Sequence, residues 1–269
     1  MQDLNFLLYA APGHQTCALA WQKQLSDLNV HTQIEWVDEI NARFLRFHPE
    51  LGLIVDEHGL WLAANGMKMQ PAWQAEIPRL KRASPKNELI ARACQVNKVE
   101  TILDATAGLG HDGLLLAWLG AKVTLLERHP VLFALLLSAL EQAKQDPLLS
   151  DVAQRIELLH VDAEHYLDLA DIASDQYDVI YLDPMFPARD ANQKQEKKQA
   201  QVKKQMQLLH TLLPVDGVMD LGENLLKQAR LKCSRVIVKR PKHAVFLADQ
   251  VPQHQWQGDA CRFDGYFQI

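Results

Sequence analysis

LDATAGLGHDG, residues 103–113, is the stretch on which the reading of this 269-residue chain turns. It follows the apolar, β-branched run Thr101–Ala105 and opens an apolar stretch of helical character, and Gly108, Gly110 and Gly113 satisfy G-x-G-x-x-G. Glu127 stands nineteen residues after Gly108, at the end of the next apolar run. Strand, glycine turn, helix, strand and acid in that order are the parts of a nucleoside-binding βαβ unit.

Working outward, the same alternation continues to the end of the chain. Strands are predicted at Thr101–Ala105, Lys122–Glu127, Arg155–Val161, Tyr177–Leu182, Arg235–Lys239 and Tyr266–Ile269. Helices are predicted at Gly113–Leu119, Pro130–Gln145, Glu196–Leu213 and Val218–Lys232. This is the pattern of a doubly wound α/β sheet, whose ligand lies at the carboxyl ends of the strands where their order reverses. The first 80 residues differ. Strand Asn5–Ala10, helix His14–Leu28, strand His31–Val37 and the two apolar runs of LGLIVDEHGLWLAAN, around the turn DEHG, predict a small α+β subdomain with a hairpin. The expected domains are therefore 1–80 and 81–269.

The acids near the glycines bear on the ligand. Asp104, four residues before Gly108, repels a pyrophosphate but accepts from a cation, which favours S-adenosylmethionine over a nicotinamide dinucleotide. Glu127 fits either ligand as an acceptor for ribose hydroxyls. Asp162, after the third strand, is placed to accept from an adenine amine. A plain structural role stays open for three acids: Asp104 and Asp112 as helix N-caps, and Asp162 as the cap of AEHYLDLA.

YDVIYLDPMFP, residues 177–187, is a buried strand running into Asp183-Pro184-Met185-Phe186-Pro187. It resembles the D/N-P-P-Y/F loop of methyltransferases that act on exocyclic or amide nitrogens. The lone pair of such a nitrogen is delocalised. The Asp183 carboxylate and the Pro184 carbonyl are suited to accept its two protons and turn the lone pair toward a sulfonium methyl, with Phe186 stacked on the base. The competing reading is a proline turn with Phe186 in the core.

Composition narrows the classes. With 48% apolar and 23% charged residues the chain reads as a soluble globular protein, and no window approaches the roughly 18 apolar residues of a membrane span. MQDLNFLLYAAPG carries Asp3 and no basic n-region, and is expected to be the true start of a cytoplasmic chain. Cys17, Cys94, Cys233 and Cys261 form no C-x-x-C pair, so reduced thiols are expected rather than a zinc knuckle or disulfide framework. The net charge is −5, yet 17 of the 28 Lys+Arg lie in segments 79–86, 189–204 and 224–243. If these meet on one face they form a polyanion footprint; otherwise they are separate solvated faces.

DATAGLGHDG, LLERHP with its apolar helix, YLDPMFP, VKRP at 238–241 and RFD at 262–264 together resemble the bacterial 16S rRNA guanine-N2 methyltransferases of the RsmJ type, over roughly residues 80–269. The resemblance implies a class I methyltransferase (Rossmann-like) sheet, mostly parallel with an antiparallel C-terminal strand, and S-adenosyl-L-methionine as cofactor without a metal. It implies 16S rRNA or the small ribosomal subunit as partner, and no membrane. The implied cofactor contacts fall on His111 and Asp112, Glu127 and Arg128, Asp162 and Ala163, and Asp183. With Asp104, Gly108 and Gly110 these make the expected cofactor site, and Asp183, Pro184 and Phe186 the expected catalytic group. Competing classes are an adenine-N6 or protein glutamine-N5 methyltransferase, a nicotinamide oxidoreductase and a non-catalytic RNA-binding module. Lys239 and Arg240 are read either as phosphate contacts or as a structural salt bridge to an acid.

Overall fold

The computed structural model describes residues 4–169, 176–184, 207–209, 211–213 and 222–268. Met185, Phe186, the lysine-rich 189–204 and the start of the helix expected at 218 lie outside the described residues, as does most of the helix expected over 196–213, of which 207–209 and 211–212 are helical.

The chain divides into two compact units: residues 1–71 with 134–142 and 186–219, and residues 72–133 with 143–185 and 220–269. In the first, strands β1 (Leu4–Ala10), β2 (Val30–Trp36), β3 (Gly52–Asp56), β4 (Gly59–Ala64) and β5 (Met67–Met69) form a sheet of order β2-β1-β3-β4-β5. The helix Gln15–Asp27 carries the chain from β1 to the parallel β2. The DEHG turn joins β3 and β4 as the expected hairpin, because Gly59 takes φ +92° and Asp56 accepts from His58 N (2.8 Å), Trp61 Nε1 (2.7 Å) and Lys68 Nζ (2.7 Å). Tyr9, Ile54 and Ala63 are buried on one face of this sheet against Phe44 and Leu45.

The second unit holds seven strands: β6 (Thr101–Asp104), β7 (Lys122–Glu127), β8 (Ile156–His160), β9 (Val179–Leu182), β10 (Arg235–Pro241), β11 (His254–Gln257) and β12 (Cys261–Phe267), in the order β11-β12-β10-β9-β6-β7-β8. Every residue of β9 is buried, as a strand covered on both faces requires. β6 pairs in parallel with both β7 and β9, so the strand order reverses between β6 and β9. β12 runs antiparallel to β10 and β11. One core of this unit is built from Leu103, Leu126, Ile180, Val236 and Val238 with Leu226 and Ala229 of the helix Glu223–Lys232.

Among the departures from the expected elements, two boundaries and one additional strand have local reasons. The helix after the glycines begins at His111 rather than Gly113, because Gly110, at φ +71°, supplies the left-handed turn that starts it. The last strand begins at Cys261 rather than Tyr266: its buried Arg262 and Asp264 hide the apolar signal. β11 was not expected, since HQWQ is short and shows no apolar alternation.

Candidate active site

At the switch point two loops are stitched together. Asp104 ends β6 and accepts from Thr106 N (3.1 Å), while Thr106 Oγ1 accepts from Asp183 N (2.6 Å) and Ala105 N donates to Tyr181 O (3.0 Å). The loop after β6 and the loop after β9 therefore hold one another. Gly108 sits at φ +57° and its N–H donates to Glu127 Oε2 (3.1 Å), while His129 N donates to Oε1 (2.7 Å). Both oxygens of Glu127 are thus aimed by backbone donors. Leu109 O accepts from the indole of Trp73 (3.1 Å), which braces the glycine turn. A Cβ on Gly113 would meet Leu125 Cδ2 at 2.4 Å, so the helix packs on β7 as closely as a backbone can.

Beyond the loop lies a cluster of acids around one cation. Lys239 Nζ, from β10, lies 2.7 Å from Asp112 Oδ2 and 2.9 Å from Asp183 Oδ2. Tyr181 Oη donates to the same Asp112 oxygen at 2.7 Å. Burial pushes the Asp104 carboxyl up to about 8, with Asp112 and Asp183 adding to the rise. Burial also raises Asp183, against the pull of Lys239. Asp112 is lowered, because Lys239 and Tyr181 outweigh its burial. Burial lowers Lys239, but the two carboxylates outweigh it and the ammonium stays charged. Of the two readings of Lys239, the salt bridge is the one present.

The N-cap reading fails for Asp112, since Gly110 is the cap residue and Asp112 bonds Tyr181 and Lys239 instead. Nor does Asp104 cap a helix; its bond closes a turn onto Thr106 N. For Asp162 it holds: Oδ1 accepts from Glu164 N (3.0 Å) and His165 N (3.2 Å), while Oδ2 lies 3.4 Å from Arg128. Ala163 is buried as the first residue of the helix Ala163–Asp168. His111 opens the helix after the glycines with a buried Nδ1 that has no partner among the described residues, and burial keeps its ring neutral. Pro184 follows Asp183, and Phe186 is outside the described residues. Trp73, Thr106 and Tyr181 were not anticipated. Their only signal is spatial, since their partners lie 36 to 77 residues away.

RFD at 262–264 has a structural task. Buried Arg262 pairs with Asp264 (2.9 Å) and donates to the carbonyls of Pro241 (3.1 Å), Lys242 (2.9 Å) and Ala244 (2.8 Å), pinning the loop that leaves β10. Arg240 is likewise turned inward, to Val245 O (2.8 Å).

The donor set fits a cationic nucleoside ligand. Asp104, Asp112 and Asp183 interact with one another around the Lys239 ammonium, so among the described residues three carboxyl groups share one cation there, and a further cation would draw Asp104 and Asp183 toward their ionised forms. A pyrophosphate would meet those acids; an ammonium and a sulfonium would be matched by them, and the paired oxygens of Glu127 suit a ribose diol. A family model described as "Putative SAM-dependent methyltransferase" matches residues 57–268. The chain belongs to this S-adenosylmethionine-dependent methyltransferase family. Its cofactor is S-adenosylmethionine. Among relatives of the methyltransferase, a protein of Acinetobacter baylyi named ribosomal RNA small subunit methyltransferase J is 64% identical, covering 94% of this chain and 93% of the relative. A protein of the same name from Acinetobacter baumannii is 58% identical over 100% of this chain and 96% of its own length. A solved SAM-dependent methyltransferase from Neisseria gonorrhoeae superposes with TM-score 0.69 at 26% identity, covering 97% of this chain and 95% of that one. The methyltransferase sheet, mostly parallel with β12 as its antiparallel C-terminal strand, is therefore as expected, while β11 is an addition to that expectation.

Proposed function

We propose that this methyltransferase transfers the methyl group of S-adenosylmethionine to the exocyclic N2 of a guanosine in 16S rRNA of the small ribosomal subunit. Acting on that RNA, it works in the cytoplasm. The chemistry belongs to the domain over 81–269, with 1–80 as an accessory subdomain. The name carried by relatives 58 to 64% identical over nearly the whole chain supports the RNA substrate. The observation that carries the reaction is the placement of Asp183: it follows β9 beside the order reversal, bonded through its N–H to the loop of β6 and through Oδ2 to Lys239.

S-Adenosylmethionine supplies an electrophilic methyl on a sulfonium. When it is bound, Glu127 would accept from the ribose hydroxyls, and Asp104 and Asp112 would offset the cationic charge. Asp183 Oδ1 and the Pro184 carbonyl accept the two amine protons, which fixes the nitrogen in line and turns its lone pair out of conjugation. As the nitrogen takes the methyl, whose bonding pair to sulfur would stay with the departing thioether, it gains positive charge and Asp183 Oδ1 takes one of its protons, passing it to water. Phe186 covers the base face. A cavity of about 510 Å³ past the end of β10, lined among others by Lys242, His243, Phe246, Gln255 and Gln257, suits a nucleotide flanking the target, with an aromatic face, amide edges and a cation for phosphate.

The test is transfer of labelled methyl from S-adenosylmethionine to small subunits and to naked rRNA from cells lacking the protein, followed by nucleoside analysis. N2-methylguanosine is expected. Label in N6-methyladenosine or in protein would overturn the acceptor while leaving the cofactor. Asp183→Ala is expected to lose at least 100-fold in rate, on the scale of one misplaced catalytic contact, with an unchanged melting temperature; an equal loss of stability would make Asp183 a strand cap.

A further inference from the structure

Lys239 lies where no local pattern of the sequence gives it a partner, and among the described residues it is the one cation within hydrogen-bond distance of the Asp183 carboxylate. Its ammonium spans two carboxylates from different parts of the chain: Asp112, in the first turn of the helix after the glycines, and Asp183, after β9. Asp112 is itself held by Tyr181 Oη, and Tyr181 is fully buried in β9, two residues before Asp183. The four groups make one chain of charge-assisted bonds, each between 2.7 and 2.9 Å. Lys239 also occupies the inner part of β10, whose backbone is paired on both sides, by Val236–Val238 with β9 and along its full length with β12. Lys239 itself is paired with Phe263 of β12, directly after the stretch that is held on both sides.

We propose that Lys239 is a positioning residue for methyl transfer, holding the Asp183 carboxylate by Oδ2 so that Oδ1 faces the target amine, and tying the reacting motif to the cofactor helix through Asp112. This rests on the reading of Asp183 given above. The physical reason is twofold. A carboxylate on a short side chain at a strand end has several rotamers, and a bond from an ammonium held by β10 selects one. Without that ammonium, Asp112 and Asp183 repel across the space it fills, and one of them takes a proton and stops acting as an acceptor. Arginine in its place keeps the charge but spreads it over a planar fork, so it should recover part of the arrangement and not all of it.

The experiment uses the full chain with four variants: Lys239→Met, Lys239→Arg, Asp183→Ala and the Lys239→Met/Asp183→Ala double change. Single-turnover methyl transfer, KM for the small subunit, S-adenosylmethionine affinity by calorimetry and thermal melting are measured for each. Lys239→Met is expected to lower the rate at least 50-fold with KM within threefold and a folded, cofactor-binding protein, and Lys239→Arg to regain at least fivefold of the loss. In the Asp183→Ala background, adding Lys239→Met should cost less than threefold more, because the group it positions is gone. A raised KM with an unchanged rate would make Lys239 an RNA contact and overturn the proposal. So would a full loss repeated in the Asp183→Ala background, or a Lys239→Met protein that melts early while Lys239→Arg restores melting but not rate. If Asp183→Ala itself transfers methyl normally, the reading of Asp183 fails; if Asp183→Ala is inactive and Lys239→Met is active, only the role of Lys239 fails.

Discussion

A carboxylic acid cut off from water keeps its proton, and Asp104 and Glu127 are both of this kind. Burial pushes Asp104 up to about 8 and Glu127 up to about 7, the second in spite of two backbone donors. Unfolded, the same groups titrate near roughly 4. The folded, ligand-free chain therefore binds more protons than the unfolded one between about pH 4 and pH 8, and the stability these acids contribute is full at the acid end and lost as pH rises through that window. A cation beside Asp104 and hydroxyls donating to Glu127 favour the ionised forms. Cofactor binding should then expel protons, on the order of one near pH 7, and tighten as pH rises toward 8. Calorimetry in two buffers of different ionisation enthalpy reads this directly; identical binding enthalpies would remove both acids from the cofactor site. Asp104→Asn and Glu127→Gln should each abolish part of the release. At this scale the sequence was readable where partners are neighbours, as with Asp162 and the two N–H groups it caps. It could offer a salt bridge for Lys239 but not say to which acid, since Asp112 lies 127 residues away.

The glycine turn works as an element because three glycines perform different tasks. Gly108 and Gly110 take left-handed φ values, and Gly113 lets the helix His111–Trp118 lie against β7. Gly113→Ala would press a methyl into buried Leu125 and toward Asp104 Oδ2, at 3.5 Å. The expected cost is about 1–3 kcal/mol, typical of overpacking, measured as a lower urea midpoint with an unchanged slope. No change in midpoint would show that Leu125 yields freely. Cofactor affinity should fall as well, because the displaced helix carries Asp112. Elements with strong local periodicity were legible: Lys122–Glu127 and Pro130–Gln145 form with the expected bounds. Met67–Met69 and His254–Gln257 were not, because three or four residues on a sheet edge show no periodicity and depend on their neighbours for pairing.

For the whole molecule, the clustering of cations has two causes rather than one. In segment 224–243, Arg230 bonds Gln250, Arg235 donates to Ala93 O (3.0 Å) and lies over the Phe267 ring, Lys239 sits among the acids and Arg240 turns inward to Val245 O. Arg240 is buried and Arg230, Arg235 and Lys239 are half-buried against these partners, while Lys227 is exposed, so the segment's charges do not all lie on one exposed basic face. Lys81, Arg82 and Lys86 are exposed, and Lys242 lines the cavity past β10. Removing Lys242 should reduce the slope of log affinity against log salt for RNA by about 1, whereas Arg235→Ala should lower the melting temperature and leave the slope alone. An unaltered slope for Lys242→Ala would place the RNA elsewhere. The amino-acid order by itself determined the alternating α/β architecture, the glycine turn, the acids at the strand ends and the reacting motif, because turns, caps and hydrophobic period are short-range properties of the chain. Only the tertiary structure decided which acid meets which base, that RFD pins a loop, and that Lys239 joins Asp112 to Asp183. Those contacts depend on sheet order and register, which bring together residues that no local pattern relates.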